Sequence, residues 1–266
     1  MEAGRYDDAV ALLRVEAEQI EGELGADAWD TAIAWNQLGV ACKFAGRYDD
    51  AEAAYARALP VAEADVDDSP ELLATLLHNL GGLAHSRRRP HEAEPYARRG
   101  LALRRDHCDD PIGVAADAAA LASILETRDE WAEAETLYRE ALTVYEDVAD
   151  DYEAAMTRNG LAAVLRFAGR PDEAEALFRA ALAEMEHLRG QAHPETATVR
   201  NNLAMLLNAT GRPGEALPLL DQAAEDLTAI LGPAHPATLD IVANRDRIDS
   251  HTRTGVDPGP PSANAP

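Results

Sequence analysis

Histidine is the residue of this sequence that most readily suggests chemistry, and two of the eight histidines lie in nearly identical surroundings. His193 lies in GQAHPETA, and His235 lies in GPAHPATL. An imidazole can bind a metal ion or transfer a proton near neutral pH. A metal site, however, needs several ligands that converge on one point. These two histidines are one repeat apart, roughly 10 Å if successive helices pack at ordinary distances.

The neighbours of both histidines are typical of helix ends. A proline follows each one, and proline suits the first turn of a helix because its missing N–H leaves no donor unpaired. Gly190 and Gly232 come a few residues earlier and suit the end of the preceding helix. We therefore interpret both stretches as points where one helix ends and the next begins.

Other residues with potential chemistry have less support. HCDD at 107–110 mixes metal-ligand types, but consecutive loop residues do not converge on one ion without help from elsewhere. Four acidic pairs lie at predicted helix starts or in loops, where Asp stabilises a helix N-terminus: Asp7–Asp8, Asp49–Asp50, Asp67–Asp68 and Asp109–Asp110. No phosphate-loop, nucleophile-elbow or metalloprotease motif occurs. The sequence predicts neither an enzyme nor a metal or cofactor site.

The chain is built from a repeat of about 42 residues. Six related hexamers end in alanine: GRYDDA at 4–9, GRYDDA at 46–51, RRPHEA at 88–93, DEWAEA at 129–134, GRPDEA at 169–174 and GRPGEA at 211–216. Twelve positions before each of the last five alanines, a small residue follows a leucine: Gly39, Gly81, Ala122, Ala162 and Ala204. Agreement at this many positions in one register indicates true repetition.

Within each unit, the apolar residues recur at the helical period of 3.6 residues. Two such stripes are Ala51, Tyr55, Ala58, Leu59 and Ala62, and Ala174, Leu177, Phe178, Ala181 and Leu182. Each unit is therefore predicted to be two amphipathic helices of roughly 17 to 18 residues, joined at the Gly-Arg turn. Small residues at the crossing would let the two helices approach closely.

These units resemble the tetratricopeptide repeat, and HPETATVRNNLAMLLNATGRPGEALPLL at 193–220 resembles its kinesin light chain type. The usual period is about 34 residues, so this one is longer. The resemblance covers residues 1 to about 250. It implies an all-α fold, an α-solenoid (right-handed superhelix) of antiparallel helix pairs whose first helices line a concave, peptide-binding groove.

We predict four segments from the repeat register. They are a leading half repeat with a second helix only (1–30), five helix pairs (31–238), a capping helix (239–252) and a Pro/Gly/Ser-rich disordered tail (253–266). The leading helix has no partner on its backward side. We therefore expect a longer parent protein, a start of the chain that is assigned too late, or self-association through this uncapped helix.

Polar residues recur on one face of the predicted first helices. They are Asn36, Lys43, His78, Asn79, Asn159, Arg166, Asn201, Asn202 and Asn208. Asn is a poor helix former, but its amide donates and accepts hydrogen bonds at once, as a peptide backbone requires. The resemblance implies that the asparagines line the peptide groove, with Asn79 shifted by one position. The alternative is that these asparagines bond to one another as part of the repeat structure.

The net charge of −24 opposes binding of the whole surface to nucleic acid or to anionic membranes. Residues 72–107 nevertheless hold seven arginines against three acidic residues, a local charge of +4. Five of them form a candidate patch for an acidic partner: Arg87, Arg88, Arg89, Arg98 and Arg99. The alternative is that they pair with acidic neighbours in the same chain.

The predicted function is a non-catalytic scaffold that binds a peptide segment of a protein partner in its groove, without a cofactor. Two cysteines cannot make a disulfide framework, and no signal peptide or 18-residue apolar run occurs, so a bacterial cytoplasmic location is expected. The alternative is the C-terminal sensor or interaction region of a larger bacterial regulator, which joins a nucleotide-binding switch to such repeats.

Overall fold

The computed structural model describes residues 2–66 and 69–254, with the side chains of 6–66 and 69–252. Every regular element in these residues is an α-helix. The helices are α1 (Glu2–Leu24), α2 (Trp29–Phe44), α3 (Tyr48–Ala64), α4 (Pro70–Ser86), α5 (Pro90–His107), α6 (Pro111–Glu126), α7 (Trp131–Asp147), α8 (Asp151–Phe167), α9 (Pro171–Arg189), α10 (Pro194–Ala209), α11 (Pro213–Leu231) and α12 (Pro236–Thr254). The acidic pair Asp67–Asp68 and residues 255–266 of the predicted tail lie outside the described residues.

The helix lengths agree with the repeat-based prediction. Helices α2 to α12 have 16 to 19 residues each. The last helix, α12, starts three residues before the predicted capping helix and ends two residues after it. The predicted start was too late because Pro236 occupies the first turn of α12, as the proline does in α10.

The turn inside each helix pair needs a left-handed backbone conformation. Gly46, Gly169 and Gly211 have φ values of 72° to 78° there, which glycine adopts at little cost. Arg88 (57°) and Asp129 (62°) occupy the same turn position in the two repeats that lack this glycine. The geometry of the turn is therefore imposed by the packing of the two helices and not by glycine alone.

The chain forms two compact units, Met1–Glu130 with α1 to α6 and Trp131–Pro266 with α7 to α12. In unit 1, α2 packs on α3 and α4 packs on α5, while α2, α4 and α6 contact one another in series. In unit 2, α8 packs on α9 and α10 packs on α11, while α8, α10 and α12 form the corresponding series. First helices thus lie side by side within each unit.

The predicted apolar stripes are the core of the helix pairs. Fully buried positions, at most 2% exposed, are Ala51, Ala54, Tyr55, Ala58 and Ala62 on α3, and Ala174, Phe178, Ala181 and Met185 on α9. Leu59, Leu177 and Leu182 are partly buried at the edges of the stripes. One large side chain, Tyr55 or Phe178, occupies the same repeat position in both helices and fills the space between helices.

Gly39 of α2 faces the Tyr55 ring of α3. A Cβ atom placed on Gly39 would lie 2.3 Å from Cε1 of the buried Tyr55 ring, which is far inside van der Waals contact. At Gly81, the same position one repeat later, the nearest atoms would be 3.4 Å away. Gly39 is therefore required by the aromatic ring opposite it, whereas Gly81 leaves room for a methyl group.

We expect opposite effects from the same substitution at these two positions. Gly39→Ala should lower the free energy of unfolding by about 1–3 kcal/mol, because the added methyl group displaces a buried ring. Gly81→Ala should raise it by about 0.5–1 kcal/mol, because alanine loses less backbone entropy in a helix. Urea unfolding followed by circular dichroism measures both variants. Changes of equal sign would contradict the difference in packing at the two crossings.

Candidate functional site

Asn36 and Asn79 of the predicted groove lie together in unit 1. Nδ2 of Asn79 on α4 donates to Oδ1 of Asn36 on α2, at 2.8 Å. Asn79 is 9% exposed and Asn36 is partly buried. We call Asn36, Lys43, His78 and Asn79 the polar face of unit 1.

The same hydrogen bond occurs twice in unit 2. Asn202 donates to Asn159 at 3.0 Å, and Asn244 donates to Asn201 at 2.9 Å. In all three bonds, which we call amide rungs, the donor follows the acceptor by 43 residues. Asn244 was missed by the sequence reasoning, although its spacing from Asn201 could have indicated it. The polar face of unit 2 comprises Asn159, Arg166, Asn201, Asn202 and Asn208.

The amide rungs leave hydrogen-bonding capacity on both faces. Each rung uses one of the two N–H bonds of the donor amide and one lone pair of the acceptor. Asn36, Asn159 and Asn201 act as acceptors, and no described residue accepts a hydrogen bond from their own N–H groups. Asn79 and Asn202 keep a free carbonyl lone pair. Both sequence interpretations therefore remain compatible, because the asparagines bond to one another and still present donors and acceptors.

Lys43 of α2 is the only lysine of the chain, and its side chain reaches α4. A Cβ atom on Gly82 would be 3.2 Å from its Nζ atom, so the lack of a side chain at Gly82 makes room for the ammonium group. Within the described residues no carboxylate pairs with Lys43, and burial lowers the pKa of its ammonium group. Its Nζ lies 5.4 Å from the centroid of the Phe44 ring. This unit therefore has an unpaired, partly desolvated cation on its polar face.

Arg166 occupies the position of Lys43 in unit 2. Its guanidinium carbon lies 4.4 Å from the centroid of the Phe167 ring, as a cation–π pair. Both faces thus have a cation next to an aromatic ring at the C-terminal end of a first helix. Asn208 is at the same repeat position on α10, where it is half-buried and makes no side-chain hydrogen bond to a described residue.

A buried charge network lies beneath His78. Nδ1 of His78 is 2.8 Å from Oδ1 of Asp117 on α6, and Nε of Arg104 donates to Oδ2 of the same carboxylate at 2.8 Å. Asp117 is 3% exposed and Arg104 is 7% exposed. Arg104 also donates to Asp110, whose other oxygen caps α6 by accepting from the Gly113 N–H. Asp110 of the HCDD stretch thus has a structural role.

The sequence reasoning missed both Asp117 and Arg104. Arg104 lies at a second-helix position that is apolar and buried in the later repeats, as Tyr145, Met185 and Leu227 show. A charged residue at that position is the signal that could have indicated a buried partner. Nearby, Nε2 of His85 lies 3.5 Å from Oγ of Ser123. Burial of His85 lowers the pKa of its imidazole, and the positive charge of Lys43 lowers it further.

Four arginines of the candidate acidic-partner patch pair with carboxylates of unit 1. The pairs are Arg87 with Asp49 and Glu52, Arg89 with Glu92, Arg98 with Glu94, and Arg99 with Glu63. Among the described residues, Arg88 makes no ion pair, and its side chain is exposed. The pairing favours the interpretation that these arginines neutralise acidic neighbours. A docking site for an acidic partner at this patch stays a prediction.

The two His-Pro stretches are helix boundaries, as predicted. Nδ1 of His193 accepts from the Glu195 N–H at 3.3 Å, and α10 begins at the following proline. Nδ1 of His235 accepts from the Ala237 N–H at 3.3 Å in the same way. Gly190 and Gly232 end the preceding helices with φ values of 89° and 93°. The imidazoles therefore cap helices instead of forming a reactive site.

The exposed side of α1 bears on the predicted self-association. Leu12 and Val15 are 69% and 62% exposed there. Glu16, also exposed, occupies the position at which the other second helices have a buried Ala or Gly, such as Ala58 and Gly100. A carboxylate at this position prevents another helix from approaching as closely as within a repeat. Self-association through this side stays a prediction.

None of the helices in the described part of the chain combines the length and the apolar character needed to cross a membrane. No group of three or more His, Cys, Asp or Glu side chains among the described residues is arranged to hold a metal ion.

Family models of the tetratricopeptide repeat match residues 1–64, 30–106, 114–187 and 196–237. The matches cover most of the sequence, and the chain therefore belongs to the tetratricopeptide-repeat family. No curated protein matches the sequence.

Three solved structures illustrate the fold. BtubC (BKLC) from P. vanneervenii has a TM-score of 0.66 and 20% identity, over 100% of this chain and 97% of its own. A putative kinesin light chain of Podosopora anserina, with nearly identical TPR-like repeats, has a TM-score of 0.59 and 16% identity, over 74% of this chain and 94% of its own. YrrB, described as a TPR protein with an unusual peptide-binding site, has a TM-score of 0.51 and 18% identity, over 85% of this chain and 97% of its own. These similarities confirm the predicted all-α solenoid of helix pairs.

Proposed function

We propose that this chain is a non-catalytic scaffold that binds an extended peptide segment of a partner protein on the polar faces of its two units. The observation that carries the proposal is the set of amide rungs. Asn36, Asn159 and Asn201 keep N–H donors, while Asn79 and Asn202 keep acceptors. An extended peptide offers both carbonyl and N–H groups along its length and can pair with such a row.

The spacing of the rungs suits a peptide backbone. Packed helices are in general about 8–10 Å apart, and an extended chain rises about 3.3 Å per residue. Successive rungs would therefore meet a peptide about every third residue. Lys43 and Arg166 add a cation at the same position of each face, which favours peptides with an acidic or carbonyl group there.

Membership of the tetratricopeptide-repeat family supports a binding role without catalysis, and YrrB is described as having a peptide-binding site. We further propose a bacterial cytoplasmic location, because Cys42 and Cys108 are free thiols and a reducing compartment keeps thiols in that state. Light scattering would show whether the scaffold also self-associates.

The test is a selection of 12-residue peptides from a random display library on the purified chain. Affinities of the selected peptides are then measured for the variant Asn159→Ala/Asn201→Ala/Asn202→Ala. We expect losses of tenfold or more for the peptides that bind unit 2, because at least two hydrogen bonds of about 1 kcal/mol each disappear.

A matched control is Thr143→Ala/Gln191→Ala/Gln222→Ala, which removes three exposed polar side chains of unit 2 away from the polar face. It should leave every affinity unchanged. If the triple asparagine variant is folded by circular dichroism and binds every selected peptide as tightly as the original chain, the polar face of unit 2 is not the binding surface.

A further inference from the structure

His78 occupies a position at which three other first helices have asparagine. It lies two residues before Leu80, the leucine that precedes the small residue of the repeat, and Asn36, Asn159 and Asn201 lie at the same distance from the corresponding leucines. Those asparagines accept a hydrogen bond from the next first helix, and their own N–H groups have no partner among the described residues. The next first helix, α6, has Ala120 at the donor position, so no amide rung can form there. His78 is bonded instead to Asp117, one turn earlier on α6.

Asp117 decides which nitrogen of His78 carries a hydrogen. One carboxylate oxygen is 2.8 Å from Nδ1 of His78, and the other is 2.8 Å from Nε of Arg104. A carboxylate that is ion-paired with arginine can only accept hydrogen bonds, so Nδ1 must donate. In the neutral ring, Nε2 is then an acceptor, and this tautomer is set by the partner of the other nitrogen.

The network cannot easily rearrange, because its two charged members are buried. Asp117 is 3% exposed and Arg104 is 7% exposed, so neither can turn to water. The side chain of His78 is 34% exposed. Since Nδ1 faces the buried carboxylate, the exposed part of the ring is the opposite edge, which includes Nε2. No described residue forms a hydrogen bond to this atom.

We propose that Nε2 of His78 is a specificity-determining hydrogen-bond acceptor on the polar face of unit 1, with Asp117 and Arg104 as its positioning residues. A peptide bound there presents a backbone N–H as the donor to His78. At Asn36, by contrast, the same peptide meets free N–H groups and presents a carbonyl. The part of this inference that concerns the peptide rests on the proposed function, whereas the tautomer does not.

The first experiment measures the tautomer on the free chain. Two-bond ¹H–¹⁵N correlation spectra at pH 8, where ordinary imidazoles are neutral, distinguish protonated from unprotonated ring nitrogens. The His78 signals are assigned by their loss in His78→Gln. We expect a protonated Nδ1 and an unprotonated Nε2. A protonated Nε2, in the other tautomer or in an imidazolium ion, overturns the proposal.

The variant Asp117→Asn tests the positioning role with the same spectra. Its amide oxygen should turn to Arg104 and its NH₂ group to His78, so that Nδ1 becomes the acceptor and Nε2 gains the hydrogen. Ser123→Ala, which changes a neighbour of His85 only, is the matched control and should leave the His78 signals in place. An unchanged tautomer in a folded Asp117→Asn variant would show that Asp117 does not position the ring.

The second experiment uses the tightest 12-residue peptide selected on the chain and its analogues, in which one backbone N–H at a time is replaced by an ester oxygen. At the position that meets His78, the ester should weaken binding about fivefold, as for one lost hydrogen bond. The same ester should have no effect on binding to His78→Phe. An ester penalty that persists in His78→Phe overturns the acceptor role alone. If no peptide is selected, the proposed function fails and the acceptor role fails with it, while the tautomer result stands.

Discussion

Asp117→Ala is expected to lower the free energy of unfolding by about 3 kcal/mol. The substitution leaves Arg104, which is 7% exposed, without its buried carboxylate partner. Removing one member of a buried ion pair costs about 3–5 kcal/mol, because the remaining charge has lost both its partner and water. The lower end of this range applies here because Arg104 keeps its bond to Asp110 at 2.9 Å.

Urea unfolding of Asp117→Ala should be compared with Asp109→Ala. Asp109 is exposed and its removal makes the same change in net charge, so its variant should stay within about 0.5 kcal/mol of the original chain. In the double variant Arg104→Met/Asp117→Leu, most of the lost stability should return, since apolar side chains can replace a buried ion pair. A loss below about 1 kcal/mol for Asp117→Ala would mean that the pair is hydrated in solution.

Phe178→Ala should have an effect of similar or larger size, about 3–5 kcal/mol, in unit 2. Phe178 is 1% exposed and lies on the buried stripe of α9 with Ala181 and Met185. Ala174 and Ala181, the buried stripe residues one turn before and after it, are too small to fill the space that the ring leaves. The loss therefore includes the transfer of the ring to water and the cost of a cavity.

Phe167→Ala is the matched comparison for Phe178→Ala. Phe167 is 43% exposed and stacks on Trp131 with ring centroids 4.7 Å apart. Its loss should cost less than the loss of Phe178, with about 0.5–1.5 kcal/mol from the aromatic pair in addition to the area that the ring buries. Thermal and urea unfolding of both variants would measure the difference. Equal losses would contradict the assignment of Phe178 to the close-packed core.

Much of the candidate site followed from repeat register. The spacing of the alanines that end the six hexamers places Asn36, Asn159 and Asn201 at one repeat position. It places Asn79 and Asn202 together at the next position along the helix. The repeat register did not predict that Asn79 and Asn202 donate hydrogen bonds to asparagines of the preceding first helix. Whether they do depends on how far one first helix is shifted along its neighbour. This shift is a property of side-chain packing between helices and is absent from the local pattern.

The charged residues show the limit of composition-based reasoning more clearly. A local charge of +4 predicted a patch for an acidic partner, yet Arg87 and Arg99 pair with Glu52 and Glu63 from the preceding second helix, α3. The carboxylates that neutralise them are 35 and 36 residues away in the chain. A window of sequence counts charges that are near in the chain, whereas pairing depends on distance in space.

The sequence by itself determined the helices and their pairing, and its His-Pro pairs marked the starts of α10 and α12, although the capping helix was predicted to begin three residues too late. These features depend on apolar periodicity, proline and glycine, all of which act within one or two helical turns. Only the tertiary structure decided the direction of the amide rungs, the burial of Asp117 with Arg104 and the orientation of His78. Each of these joins side chains of different helices, so it depends on helix packing, which no local pattern contains.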